Sequence, residues 1–416
     1  RRTRKAVGEN FIIIFRLSML DLVEGGSTWP EVVHLAKELE KAGVTIINTG
    51  IGWHEARIPT IATMVPRAAF TWVTRKMKGE VNIPLITTNR INDPKVAEDI
   101  ISRGDADMVS MARPFLADSH LVKKAEEGRE NEINTCIACN QACLDHVFQR
   151  KIVSCLVNPR ACHETELNYT PTSVKKKIAV VGAGPAGLSC SEVLARRGHE
   201  VHLFEAQRYI GGQFNMARLI PGKAEFNETI RYYQEQIKQL GIHLHLDTRV
   251  AAAQLQAGGF DEVVLSTGVV PRSISLPGIN HPKVLGYTEV LLQQKTVGSR
   301  VAIIGAGGIG FDLAEYLSDP HPEQPVSTEQ FMQEWGVDMA YRPRGAITRP
   351  ESTPSARKIY LLQRSAGKPG ARLGKTTGWI HRASLRQKQV EMIAGATYHQ
   401  IDDQGLHLTV EGRHRL

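Results

Sequence analysis

The sequence predicts an α/β protein: the C-terminal half of a (β/α)8 barrel, a metal-binding linker, and two nested Rossmann-like dinucleotide-binding domains. Three observations predict it. Apolar strands and amphipathic helices alternate from Phe11 to Met111. Four of the six cysteines then crowd between Cys136 and Cys155. Two glycine turns, at Gly182 and Gly305, each follow an apolar strand and open a helix.

The barrel half comes first. Phe11-Ile-Ile-Ile-Phe-Arg16 is apolar and β-branched, the pattern of a buried parallel strand. Trp29–Ala42 is a helix, with Pro30 in its first turn and Gly43 after its end. Thr45–Gly50, Ile83–Arg90 and Asp107–Met111 are the next strands, and Pro94 opens a helix that Gly104 closes. This cadence means a parallel sheet. Four units make half of an eight-fold barrel, whose active site lies at the C-terminal ends of the strands. Arg16, the Gly52–Arg57 loop with His54, Asn89-Arg90 and Ala112-Arg113 stand there. Polar groups converging on one barrel face are the layout of a substrate or cofactor site.

Cys136-x2-Cys139-x3-Cys143 is followed by a lone Cys155. Structural zinc sites usually pair two C-x2-C knuckles, whereas compact all-thiolate ligation suits an iron–sulfur cluster. Spacing alone leaves both open. Cys162 and Cys190 read as ordinary small apolar residues.

Lys177–Val181 leads into Gly182-Ala-Gly184-Pro-Ala186-Gly187, and Glu205 ends the following strand. Gly182 permits the tight turn, Gly184 admits a pyrophosphate to the backbone, and Gly187 packs helix on strand. The Glu205 carboxylate can accept ribose hydroxyls. Gly305-Ala-Gly307-Gly308-Ile-Gly310 repeats the fingerprint. Its second strand is delayed to Lys358–Leu362 by an insertion, Asp319–Ala356. Where an NAD site carries an acid, Gln363-Arg364 stands, with Lys368 beyond, and an Arg there can pair with a 2′-phosphate.

Composition narrows the class. The 416 residues carry a net charge of +8 and are 42% hydrophobic. The charges are scattered and no recognition motif accompanies them, so nucleic acid is not expected as a partner. No apolar run reaches the roughly 20 residues that span a bilayer. Clustered cysteines fit a reducing cytoplasm. The chain opens inside a β/α pattern without Met and closes inside a hairpin, so a piece of a longer protein is expected.

This order of half barrel, Cys136-x2-Cys139-x3-Cys143-x11-Cys155, GAGPAG at 182 and GAGGIG at 305 resembles the bacterial NADPH-dependent 2,4-dienoyl-CoA reductases. They are old yellow enzyme-like barrels fused to a pyridine-nucleotide reductase module. The likeness includes Ile46–Arg57 and Gly374-Lys-Thr-Thr-Gly-Trp379. It implies residues 1–125 as the FMN-binding half barrel and 126–172 as a [4Fe-4S] segment. Residues 173–290 would bind FAD and 291–416 NADPH, both domains incomplete. It further implies reduction of 2,4-dienoyl-CoA to enoyl-CoA in β-oxidation, electrons passing from NADPH through FAD, cluster and FMN. Arg16 would contact the FMN ring, and Arg90, Ala112 and Arg113 its phosphate side. The four cysteines would ligate the cluster. Gly182, Gly184, Ala186, Gly187, Glu205, Gly212, Gln213 and Val250 would bind FAD, and Gly305, Gly307, Gly308, Gly310, Arg364 and Lys368 NADPH. His54 would be catalytic, with Glu55, Ala56, Arg57 and Ile58 along the acyl-CoA. The family's proton-donating Tyr belongs to the other barrel half, and a monomer is expected. The rivals are a trimethylamine dehydrogenase-like or enoate reductase-like flavoprotein, and a non-catalytic electron-transfer subunit.

Overall fold

The computed structural model describes residues 1–416. Strands β1 (Ile14–Leu20), β2 (Ile46–Ile51), β3 (Leu85–Thr87) and β4 (Met108–Val109) pair in that order, all parallel. Each crossover carries helix, as parallel pairing requires. The helix Trp29–Lys41 begins at a capping box, Thr28 with Glu31, and Pro94–Ser102 begins at Asp93, whose side chain accepts from the Lys95 N–H. The half barrel of the sequence reading is therefore present. One expectation needs correction. Strand β1 starts only at Ile14 and is not buried throughout: Ile14, Phe15 and Arg16 are exposed, as are Phe11 and Ile12 before it. It pairs only with β2, so it is an edge whose barrel-interior face stands open.

The first dinucleotide domain is a four-stranded parallel sheet in the order β7 (His243–His245), β6 (Glu200–Phe204), β5 (Lys177–Val181), β8 (Glu262–Leu265). Ile178, Val180, Val201 and Leu203 pack against the helices Pro185–Arg196 and Phe226–Gln239. The second pairs β9 (Arg300–Ile304), β10 (Lys358–Leu362) and β11 (Glu391–Ile393). An antiparallel meander follows, β12 (Thr397–Ile401), β13 (Leu406–Val410) and β14 (Arg413–Arg415). No helix is long and apolar enough to cross a membrane.

The insertion between β9 and β10 does more than interrupt a domain. Its helix Thr328–Trp335 presents Phe331, Met332 and Trp335, and these bury in the same 27-residue core as Leu17, Ile47 and Phe70. Phe331 meets Phe70 edge to face at 6.5 Å, and Tyr341 meets Trp29 at 5.6 Å. Arg344 pairs with Glu31 at 2.8 Å. Residues 319–356 belong by sequence to the second nucleotide domain and by packing to the barrel.

Candidate functional site

Four elements meet at the cysteines. Cys136, Cys139, Cys143 and Cys155 line one cavity together with Arg113, Leu116 and Asn140. The chain bends there through left-handed residues, Ala138 (φ 53°) and Asn140 (φ 62°), and a π-helical turn, Gln141–Asp145. Burial, reinforced by the neighbouring thiols, pushes the Cys139 thiol up to about 12 and Cys155 up to about 11. Positive charge beside these thiols, such as a metal group would bring, would favour their thiolate forms. An all-thiolate cavity of this kind can take a single zinc ion or an iron–sulfur cluster.

The cavity is tied to both sides. Arg113, which opens the helix Arg113–Ala117 after β4, donates to Asn140 Oδ1 and, at 2.7 Å, to the Ile61 carbonyl. The helix that follows the barrel's last strand therefore reaches the cysteine segment directly. From the other side comes the Gly374–Trp379 loop. Buried Asp145, two residues past Cys143, accepts from the Thr376 N–H at 2.9 Å and the Thr376 hydroxyl at 2.8 Å. A side chain at Gly374 would lie 2.4 Å from Asp145 Oδ2, so a larger residue there would displace the Asp145 carboxylate.

A second junction lies behind it. Glu225, just before the helix Phe226–Gln239, accepts from Arg90 at 2.6 Å, Arg67 at 2.6 Å and Asn92 at 2.9 Å. The same Asn92 amide donates to the Cys136 carbonyl at 2.7 Å. Burial raises the Glu225 carboxyl, but Arg90 and Arg67 outweigh it and hold the group below its ordinary range. The Arg90 side chain is thus engaged by Glu225 and Val65 rather than pointed at a phosphate. What Arg90 offers at the strand end is its main chain, left-handed like that of Asn89.

The remaining barrel residues separate into two groups. Arg16 is exposed on the open interior face, and His54, Glu55 and Arg57 are exposed in the loop after β2. Trp53 pins that loop by donating to the Ser18 hydroxyl at 3.1 Å. Ala56 and Ile58 are core residues, so the exposed side chains of this loop are Trp53, His54, Glu55 and Arg57. Ala112 is exposed beside Arg113.

The first fingerprint is built as its spacing demands. A side chain at Gly187 would overlap the Gly182 carbonyl at 1.9 Å, whereas Gly184 has open space before it. That space is where a pyrophosphate can approach the helix Pro185–Arg196. Ala186 is exposed on that helix's first turn. Glu205 is fixed by the N–H groups of Ala183 and Gln207, both at 2.9 Å. Gly212 folds over the turn, within 3.1 Å of Gly184 Cα for an added side chain. Gln213 donates to the Val269 carbonyl. Thr248 N–H donates to the Glu205 carbonyl at 2.8 Å, which brings Val250 alongside. The second fingerprint repeats this. Gly310 packs on the Gly305 carbonyl, and Gly307 and Gly308 face open space. Gly305 N–H donates to Leu362 O at 2.9 Å, so Gln363 and Arg364 emerge beside the turn. Arg364 and Lys368 are exposed.

Sequence reasoning missed Glu225, Arg67, Asn92 and Asp145. Nothing local marks them, since each acts through partners distant in the chain. The Gly374–Trp379 motif was the one available signal for Asp145.

Residues 1–132 match the NADH:flavin oxidoreductase / NADH oxidase family, and residues 176–414 the pyridine nucleotide-disulphide oxidoreductases. A metal reductase of Desulforamulus reducens is 34% identical over 99% of this chain and 61% of its own length. An NADH oxidase of Thermoanaerobacter brockii is 35% identical over 82% of the chain and 53% of its own. The structure of a 2-naphthoyl-CoA reductase in complex with 2-naphthoyl-CoA superposes with a TM-score of 0.86 at 30% identity, covering 99% of this chain and 58% of that one. The chain thus spans between about half and three-fifths of these proteins' lengths.

Proposed function

The chain belongs, through residues 176–414, to the pyridine nucleotide-disulphide oxidoreductase family, and from that premise we propose an NADPH-dependent reductase of conjugated acyl thioesters, 2,4-dienoyl-CoA first among them. One observation carries the reading: the four-cysteine cavity lies between Arg113 of the barrel and the Gly374 loop of the second nucleotide domain. A cluster there joins a nucleotide-reducing module to a barrel with cationic strand ends. What the bound groups supply is hydride acceptance by FAD, one-electron relay by a [4Fe-4S] cluster, and return of an electron pair by FMN.

This chain's residues do the positioning. Cys136, Cys139, Cys143 and Cys155 would hold the cluster. Gly184 and the helix behind it receive the FAD pyrophosphate, and Glu205 and Val250 the ribose and adenine side. Gly307 and Gly308 leave room for the NADPH phosphates, and Arg364 with Lys368 would pair with the 2′-phosphate. Arg16, exposed on β1, would contact the FMN ring. His54 supports proton delivery to the reduced thioester. Arg57 and the chain's positive charge favour the CoA phosphates. The similarity to a protein solved with 2-naphthoyl-CoA supports a thioester substrate. Against a trimethylamine dehydrogenase-like oxidase stands the intact Gly305 fingerprint with Arg364 beside it.

The test is anaerobic flavin bleaching. NADPH should reduce the flavin- and iron-loaded chain extended at both ends, and dienoyl-CoA should restore its colour within turnover time. Bleaching by an amine, or no reoxidation by any enoyl or dienoyl thioester, would overturn the reading.

A further inference from the structure

Strands β6 and β7 carry Glu200-Val-His202 and His243-Leu-His245, and side chains two apart share a face. The parallel register sets His202 opposite His243. Val201 and Leu203 turn into the core, so Glu200 and His202 lie on the other face, partly exposed. One ligating atom from each of Glu200, His202 and His243 lies within 4.8 Å of the other two. His202 Nε2 stands 3.1 Å from Glu200 Oε1, and its Nδ1 stands 3.0 Å from His245 Nε2.

We propose that Glu200, His202 and His243 form a binding site for a divalent late first-row cation such as zinc or nickel, with His245 orienting His202. Two imidazoles and a carboxylate suit these ions, and three protein ligands leave a position for water. Two imidazole nitrogens 3.0 Å apart must share a proton. Without metal, His245 Nε2–H donates to His202 Nδ1, and His202 Nε2–H donates to Glu200. With metal on Nε2, the single His202 proton sits on Nδ1 and donates to His245 Nε2, while the His245 proton moves from Nε2 to Nδ1. Both rings stay neutral and no proton is lost. A ligating His that passes its other N–H to a fixed acceptor is the usual support of such sites. The His202 and His243 rings are stacked at 4.5 Å, and the exposed His243 ring is free to turn its nitrogen towards the ion. Lys177, the nearest cation on β5, is drawn aside by donating to the Gly258 carbonyl at 3.0 Å. The ion would clamp the edge strand β7 to β6. That clamp bears on the FAD site, because the His245 carbonyl accepts from the Glu205 N–H at 2.8 Å.

The probe is Ni2+, titrated calorimetrically into the iron-loaded protein so that the clustered thiols are occupied. One equivalent should bind. His202→Ala and His243→Ala should each abolish it, and His245→Ala should weaken it about 10–100-fold. Glu200→Gln keeps the hydrogen bonds and removes the charge, so it should weaken binding without disturbing the fold, as circular dichroism would check. His407→Ala and His414→Ala, in the separate histidine group of the C-terminal meander, should change nothing. Absence of binding, binding unchanged in both His243→Ala and Glu200→Gln, or binding lost only with His407 and His414 would overturn the site.

Discussion

Arg364 emerges from β10 beside the Gly305 turn and is exposed. Only NADPH carries a 2′-phosphate for it. Arg364→Ala should therefore weaken NADPH tenfold to a hundredfold, since a charge-assisted pair contributes roughly 1.5–3 kcal/mol. NADH should be nearly unaffected; equal losses in the two Kd values would dismiss Arg364 as the reader. Glu225 is the opposite kind of residue, a carboxylate 10% exposed and held by two guanidinium groups. Glu225→Ala leaves Arg90 buried and unpaired, which should cost about 3–5 kcal/mol in denaturant titration. Its pH dependence has a definite sign. The folded-state carboxyl lies below its ordinary value, so its contribution is complete above an unfolded pKa of about 4.3 and is lost as pH falls through the folded value. Glu225→Gln should flatten that acid limb. An unchanged acid limb would show that other carboxylates set it.

At the scale of the element, the π-helical turn Gln141–Asp145 presents Cys143 and is held by Thr376. Asp145→Ala, or the milder Thr376→Val, should speed loss of iron to a chelator, while the Gly182 and Gly305 turns stay intact. Equal iron retention by parent and variants would make the Gly374 loop a bystander. In the chain extended at both ends, replacing Cys139 by Ala should remove iron and sulfide but leave NADPH-to-FAD reduction, with FMN no longer reduced. Normal FMN reduction would mean that the cysteines are not the relay. The helix Thr328–Trp335 offers a test of a different kind. Phe331→Ala, in the second nucleotide domain by sequence, should destabilise the barrel half by about 3–5 kcal/mol, read as protection loss in hydrogen exchange over β1 to β3.

At the scale of the molecule, the barrel sheet has two edges, β1 and β4. Phe11, Ile12, Ile14 and Phe15 are exposed at one of them and Met108 and Phe115 near the other. Exposed edges with apolar faces pair with other chains. Expressed alone, these 416 residues should aggregate and should not reduce dienoyl-CoA, whereas a chain extended at both ends should. Turnover by the 416 residues at the extended chain's rate would refute both the open-barrel account and the need for a proton donor beyond His54.

Much of this was legible in the residues because it rests on short-range constraints. A strand, a glycine turn and a helix must follow one another for a phosphate to reach the backbone, so Gly182, Gly187, Gly305 and Gly310 announce their own geometry. Alternation of apolar strand and amphipathic helix likewise specifies a parallel sheet before any contact is known. Cysteine spacing picks out the candidate ligands, and the fold brings all four to one cavity. What only the tertiary structure decided are the joints. Glu225 meets Arg90, Asp145 meets Thr376, and Phe331 meets Phe70 across long stretches of chain, and such pairings leave no periodicity behind. Arg90 looked like a free cation at a strand end until the fold brought a carboxylate to it. Ala56 and Ile58 looked like ligand contacts until the loop turned them inward, because burial is a property of the assembled core and not of the segment.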